Sequence, residues 1–327
     1  MRVTIADVAR RARVSKATVS RVLNNRGEVD AATAIRVREV IAATGYTPSA
    51  GAVGLATGRT RTIGILVPDL ASPWTAAVLQ GVADVLEEHG YGLLVSTTHR
   101  GPDALTRFAR RVSGKSFDAS LLVEPPDQPS YLAELHASGL PIAVVDDRRE
   151  HPGFACVVAD HRAGAGAAAR HLLAAGRTRP LVLATGGTRC ARERDAGFAE
   201  AFTAAGHRVT HRVLPAATRE SGATTTADAL AAGATFDSVF AHADLPALGA
   251  LDALRAAGRR VPEDVAVVGF DDSDLATHAD PPLTTVRRPA RSVGEAAARM
   301  LLANLEGNPF PTDPVVVPTE LVVRTSA

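Results

Sequence analysis

The stretch Thr4-Ile-Ala-Asp-Val-Ala-Arg-Arg-Ala-Arg-Val-Ser-Lys-Ala-Thr-Val-Ser-Arg-Val-Leu-Asn-Asn25 reads as two short helices joined by a tight turn. Thr4 and Asp7 have the spacing of a capping box, in which hydroxyl and carboxylate satisfy the free N–H groups at a helix start. Behind them Ile5, Val8, Ala9 and Ala12 recur at helical intervals and share one face. Val14-Ser15 interrupts the pattern, and Ser15 can cap a second helix from Lys16 to Asn24 with Val19, Val22 and Leu23 inward. Asn24-Asn25-Arg26-Gly27 is a turn cluster. Asp30 or Thr33 opens a third helix that offers Ile35, Val37, Val40 and Ile41 to the core and stops at Gly45. Residues 1–46 therefore read as a small all-α helix-turn-helix domain, a fold that presents the start of its second helix to DNA.

Charge supports that reading. The net charge of the 327 residues is only +1, but residues 1–61 hold eleven Lys or Arg against four Asp or Glu, leaving +7 there and −6 in the remainder. A basic head on an acidic body meets a polyanion with one end. Asp7, Glu28, Asp30 and Glu39 in the head argue against a targeting peptide, and no apolar run approaches the ~18 residues of a membrane span. Cys156 and Cys190 lack metal-ligand spacing, which points to a reduced, cytoplasmic protein.

From residue 61 the texture changes. Apolar runs at Ile63–Pro68, Gly92–Ser96, Ala119–Val123, Ile142–Val145, Cys156–Ala159, Leu181–Ala184, Ser238–Ala241 and Val265–Phe270 alternate with alanine-rich amphipathic stretches. Such runs imply parallel strands covered on both faces. They are too many for one sheet, so residues 61–327 are expected to form two doubly wound α/β subdomains with a cleft between them. Residues 47–60 read as a linker: Pro48 opposes continuation of the preceding helix, and Gly51, Gly54 and Gly58 each cost about 1 kcal/mol in a helix interior.

Lys16 and Ala17 begin the second helix, and Arg21 follows one turn later on the same face. Lys and Arg can donate to guanine in the major groove, and Ala can lie against a thymine methyl. Ser15, Thr18, Ser20 and Asn24 carry short polar groups suited to phosphate oxygens, and Thr4 completes the DNA-facing set. In the core, Asp69 ends the first strand, and Ser72 and Trp74 follow into a helix. A lone tryptophan at a cleft lip, flanked by carboxylates, suits stacking on the apolar face of a sugar ring.

Val14–Asn25 closely resembles the recognition helix of the lactose-repressor (LacI) family. The likeness continues in order through Gly45-Tyr46, Thr62–Asp69, Gly81 before a helix, Arg194-Asp-Ala-Gly-Phe198, Val261–Val265, Val268–Asp272 and Pro282–Val286. The resemblance implies a core like that of periplasmic sugar-binding proteins, and a homodimer (in some members a tetramer) on a pseudo-palindromic operator of double-stranded DNA. It implies repression controlled by a carbohydrate-type effector, with no cofactor or metal. It gives Leu55 the part of a minor-groove wedge, and Asp146, Arg194, Asp244 and Asp271 effector-facing positions beside Asp69, Ser72 and Trp74. The chain departs from the family pattern in the linker, with Ser49 for the usual Asn and Val53 for the usual Arg. In the core, Ala243 stands where an Asn usually precedes the Asp.

Other readings fare worse. Gly164-Ala-Gly166-Ala-Ala-Ala169 matches a dinucleotide fingerprint formally, but the following strand ends in Thr185-Gly-Gly with no carboxylate for a ribose. Small residues packing a helix closely on its sheet account for that segment. The ten histidines show no metal-binding spacing, and no nucleophile, base and orienting acid are suggested. A transporter's solute-binding protein would need a secretory signal, and a sugar-metabolising enzyme would leave the basic head without a purpose.

Overall fold

A computed structural model describes residues 3–24, 29–48, 54, 58–99, 101, 103–125, 134–135, 137–146, 154–186 and 188–327. The chain divides into two compact units, Met1–Arg61 and Thr62–Ala327.

The first unit contains α1 (Ile5–Ala12), α2 (Lys16–Leu23) and α3 (Ala31–Thr44). Each begins on a side-chain cap: Thr4 with its reciprocal Asp7, then Ser15, then Asp30, which accepts from the Thr33 amide. Arg13, in the left-handed region at φ 56°, turns the chain from α1 into α2, and Gly45 ends α3 at φ 62°. Val8, Ala12, Val19 and Val37 form the buried centre. Arg36 Nε donates to the Ala12 carbonyl at 3.1 Å and ties α3 to the end of α1. One expected core residue is misplaced: Ile35 is 54% exposed, because the face of α3 defined by Val37, Val40 and Ile41 already fills the space.

In the second unit, β1 (Thr62–Val67), β2 (Gly92–Thr97), β3 (Ala119–Val123), β4 (Ile142–Val145), β5 (Ala155–Ala159) and β11 (Val315–Val317) build one sheet. Its order is β11-β5-β4-β3-β1-β2, all parallel. The second sheet, in the order β12-β10-β9-β8-β6-β7, takes β6 (Pro180–Thr185), β7 (Thr210–Leu214), β8 (Ser238–Ala241), β9 (Ala266–Asp271), β10 (Thr284–Arg287) and β12 (Glu320–Val322). It is parallel except for β12, which runs antiparallel to β10. All eight sequence-predicted strands are present; β7, β10, β11 and β12 are additions.

The first sheet is covered by α4 (Pro73–Glu88) and α11 (Ala290–Leu305) on one face and α5 (Asp103–Ser113) on the other. The second is covered by α6 (His161–Ala174) and α7 (Arg189–Ala204), and opposite them by α8 (Arg219–Ala231) and α9 (Asp244–Ala256). The short α10 (Asp274–Thr277) follows β9. Gly81 lies inside α4, not before it, where a Cβ would strike the Arg291 carbonyl of α11; Gly294 of α11 meets the Val78 carbonyl in the same way. Gly164 belongs to the close packing inferred from sequence, since a Cβ there would come within 2.6 Å of Thr319 Oγ1 and 2.7 Å of Val286 Cγ1.

The chain passes between the subdomains three times: from β5 to α6, from β10 to α11, and from β11 to β12. The first and third passages are joined, with the Asp160 amide donating to Val317 O at 3.0 Å and Thr319 Oγ1 to Asp160 O at 2.9 Å. The carboxyl ends of both sheets face the space between, where the polar loops gather.

Candidate functional site

In the first unit the exposed start of α2 carries Ser15, Lys16 and Ala17, with Arg21 exposed one turn on and Asn24 exposed at the helix end. Two of the expected phosphate-facing residues have local duties. Ser15 Oγ accepts from the Thr18 amide at 3.1 Å and lies 2.9 Å from Thr18 Oγ1, and Asn24 Nδ2 donates to the Ser20 carbonyl at 2.8 Å. Thr18 and Ser20 are half-buried. Thr4 is exposed, with Oγ1 donating to Asp7 Oδ2 at 2.7 Å. These bonds fix the helix while leaving the Lys16, Ala17 and Arg21 face outward. Leu55 and most of the linker lie outside the described residues.

In the second unit a cleft of about 420 Å³ opens between the subdomains. From the first come Asp69 to Pro73, after β1, with Thr97 and His99, at the end of β2; from the second come Ala216–Thr218, Ala243–Leu245, Asp271 and Ser273. Of the seven residues expected there, Asp69, Ser72, Asp244 and Asp271 line it. Asp69 Oδ1 accepts from the Ala71 and Ser72 amides at 2.8 and 3.0 Å, and Ser72 caps α4, so the loop is held by its own side chains. Asp244 accepts from Thr285 Oγ1 at 2.6 Å and from Ser273 Oγ and amide at 2.9 and 2.7 Å. Burial, reinforced by the nearby Asp271 carboxylate, raises its carboxyl to about 7.

The other three, Trp74, Asp146 and Arg194, are buried behind the lining. Trp74 is 3% exposed, and the guanidinium of Arg288 lies 3.5 Å from its ring centre, so that face of the indole is covered. Arg194 donates from Nη1 to the His242 carbonyl and from Nε to His161 Nδ1 at 3.2 Å, over the ring of Phe270 at 4.2 Å. Its Nη2 is buried with no hydrogen-bond partner among the described residues. Asp146 accepts from the Ala159 amide at 2.9 Å and from Arg288 at 2.8 Å.

Arg288 is one residue that sequence reasoning missed. Its Nη1 donates to Glu124 Oε1 and to Asp146 Oδ2, both at 2.8 Å, and its Nη2 and Nε reach Asp271 Oδ1 at 2.8 and 3.0 Å. Burial alone would lower its pKa, but Asp271, Glu124 and Asp146 outweigh burial and raise it, so it is always charged. Glu124, Asp146 and Asp271 have φ values of 43°, 61° and 123°, left-handed conformations that cost on the order of 1–3 kcal/mol each in non-glycine residues. Pro282–Val286 reads only as a stretch of family likeness and not as a strand, so nothing in the sequence marks Arg288 as a strand-end residue.

Comparison with known proteins places these two sites in one family. Residues 4–49 match the model described as bacterial regulatory proteins, lacI family, and residues 169–327 a periplasmic binding protein-like domain. The transcriptional regulator DegA of Bacillus subtilis is 32% identical over 333 residues, which cover 100% of this chain and 98% of that one. The chain belongs to the lacI family. The regulator CelR of Thermobifida fusca is 34% identical over 342 residues, covering 99% of this chain and 98% of its own. Among solved structures, the Lac repressor dimer bound to operator and the anti-inducer ONPF superposes with a TM-score of 0.90 at 26% identity, over 100% of this chain and 99% of that one. A CelR–cellobiose complex gives 0.75 at 33% identity with both chains fully covered.

As a lacI-family member the protein is a DNA-binding regulator of transcription. Ala243, which lines the cleft, offers no side-chain hydrogen bond where the family usually has Asn; Thr97, His99, Thr218 and Ser273 supply polar groups around it instead. None of these four was singled out from sequence: Thr97 ends β2 beyond the apolar run read there, and the other three lie in loops without periodicity. Among the described residues no helix is long and apolar enough to cross a membrane, and no group of three His, Cys, Asp or Glu could hold a metal ion.

Proposed function

We propose that this protein is a homodimeric transcriptional repressor that binds a pseudo-palindromic operator and releases or tightens on it when a carbohydrate occupies the cleft between its core subdomains. One combination carries the reading: an exposed helix start bearing Lys16, Ala17 and Arg21, in the same chain as a cleft of about 420 Å³ lined by loops at strand ends of both subdomains. Lys16 and Arg21 read guanine edges and Ala17 a thymine methyl, while Thr4, Ser15, Thr18, Ser20 and Asn24 position the helix on phosphates. In the cleft Asp69, Asp244 and Asp271 offer acceptors, Ser72, Thr97, Thr218 and Ser273 hydroxyls, and Leu70, Pro73 and Leu245 apolar surface for the faces of a ring. Trp74, Asp146 and Arg194 act from behind this lining.

The similarity to the Lac repressor dimer on its operator and to CelR with cellobiose supports both halves of the proposal. Residues 47–60 act as the hinge, and Leu55 as a wedge in the minor groove; with Val53 in place of Arg and two glycines beside it, the wedge holds less firmly than in relatives. The test is selection of genomic fragments by the purified protein in moderate salt, alone and with a panel of sugars. Enrichment of an inverted repeat, altered by one of the sugars, is the expected result. Fragments retained without any common sequence under every condition would overturn the reading.

A further inference from the structure

Arg288 occupies a setting that binding clefts make for a cation: an aromatic face on one side and carboxylates on the others. What sets it apart is where those carboxylates come from. Glu124 and Asp146 follow β3 and β4 of the first sheet, whereas Asp271 ends β9 of the second. Trp74 belongs to α4, which packs on the first sheet. Arg288 itself lies on the passage from β10 to α11, one of the three segments that cross between the subdomains. Its side chain is 4% exposed, and each of its three carboxylate partners takes a left-handed backbone conformation.

We propose that Arg288 is an internal ligand of the cleft, a latch that draws Glu124 and Asp146 of one subdomain to Asp271 of the other and fixes the closure of the space in which the effector binds. The proposal rests on the reading of that cleft as the effector site and adds its regulation. Asp271 is shared, since it faces the cavity and holds Arg288. A ligand that takes Asp271 as a hydrogen-bond acceptor therefore works directly on the latch. Asp271 and its neighbours Asp69 and Asp244 face the same cavity, so a ligand that brings donors, hydroxyl or amine, meets acceptors there.

The sole tryptophan makes the latch observable. The full-length Arg288→Gln variant, checked for native circular dichroism, is compared with the parent without added ligand. Acrylamide quenching of Trp74 should rise. Amide exchange should quicken at Glu124 and Asp146, whose N–H groups bond to Val145 and Val157, by roughly tenfold or more once the buried charge partner is lost. Should Arg288→Gln fail to fold, Glu124→Gln removes one carboxylate of the first subdomain and carries the same readouts. Unchanged quenching and exchange in a folded variant would overturn the latch. Binding of the selected sugar to the parent protein tests the effector site independently of the latch.

Discussion

The two units of this protein encode their sites at different ranges. In the first unit the side-chain bonds that shape α1 and α2 are local: Thr4 with Asp7, Ser15 with Thr18, Asn24 with Ser20. The cleft, by contrast, is assembled from segments between Asp69 and Ser273, and its Asp271 is held by Arg288, whose other partner Glu124 lies 164 positions away along the chain. A local site is as robust as its caps and can be altered piecemeal. A site built between two sheets inherits the whole packing of both, so disturbance anywhere along that packing reaches it.

That contrast can be broken or sharpened by mutation. The largest effect is expected from Gly294→Ala in α11, where the new methyl meets the Val78 carbonyl of α4. Helix propensity favours Ala by about 1 kcal/mol. The forced separation of two close-packed helices costs more, and a net loss of about 3 kcal/mol is expected. Thermal unfolding of the core should shift down by several degrees, with the first unit's helices unaffected in amide exchange; an unchanged melting temperature would show that the contact yields freely.

Next comes pH. Asp244 titrates at about 7 in the folded core because it is buried and near Asp271, against about 4 in an unfolded chain. The folded state keeps a proton that the unfolded chain releases, so the contribution is complete below about pH 4 and is lost as the pH rises through 7. At about 1.4 kcal/mol per pH unit inside that window, the stability of the parent relative to Asp244→Asn should fall by about 2 kcal/mol between about pH 5 and about pH 6.5. Denaturant midpoints at several pH values test this, and a constant difference between the two proteins would contradict the assignment. The smallest effect belongs to the local site: Ser15→Ala removes one cap of α2 and should cost about 1 kcal/mol, seen as faster exchange at Thr18 with no change in core melting.

The same difference in range explains what was legible in the sequence. Helices α1 to α3 were readable with their caps, and eight strands stood out as apolar runs, seven of them buried and the edge strand β2 half-exposed. Strand β7 did not, because Thr210–Leu214 is an edge strand whose first four residues are exposed, and nothing forces such residues to be apolar. Strands β11 and β12 are three residues each, too short to carry a period. Asp146, Arg194, Asp244 and Asp271 came from the family resemblance, which carries position but not burial. Trp74 reads as a lip residue until Arg288 is placed on its ring, and that contact joins segments more than two hundred residues apart. Ile35 shows the converse: helical spacing marks a face, and only packing decides which of its edges is covered.

The most direct test of the division of labour is Arg21→Ala, with binding of the selected operator and of random DNA measured side by side over a range of salt, with and without the sugar that acts on the parent protein. The predicted result is loss of discrimination by about 1–3 kcal/mol for the base pair read, with salt-dependent binding to random DNA and sugar binding in the cleft both retained. A variant that still distinguished operator from random DNA as well as the parent would contradict the account of how this protein reads its sequence.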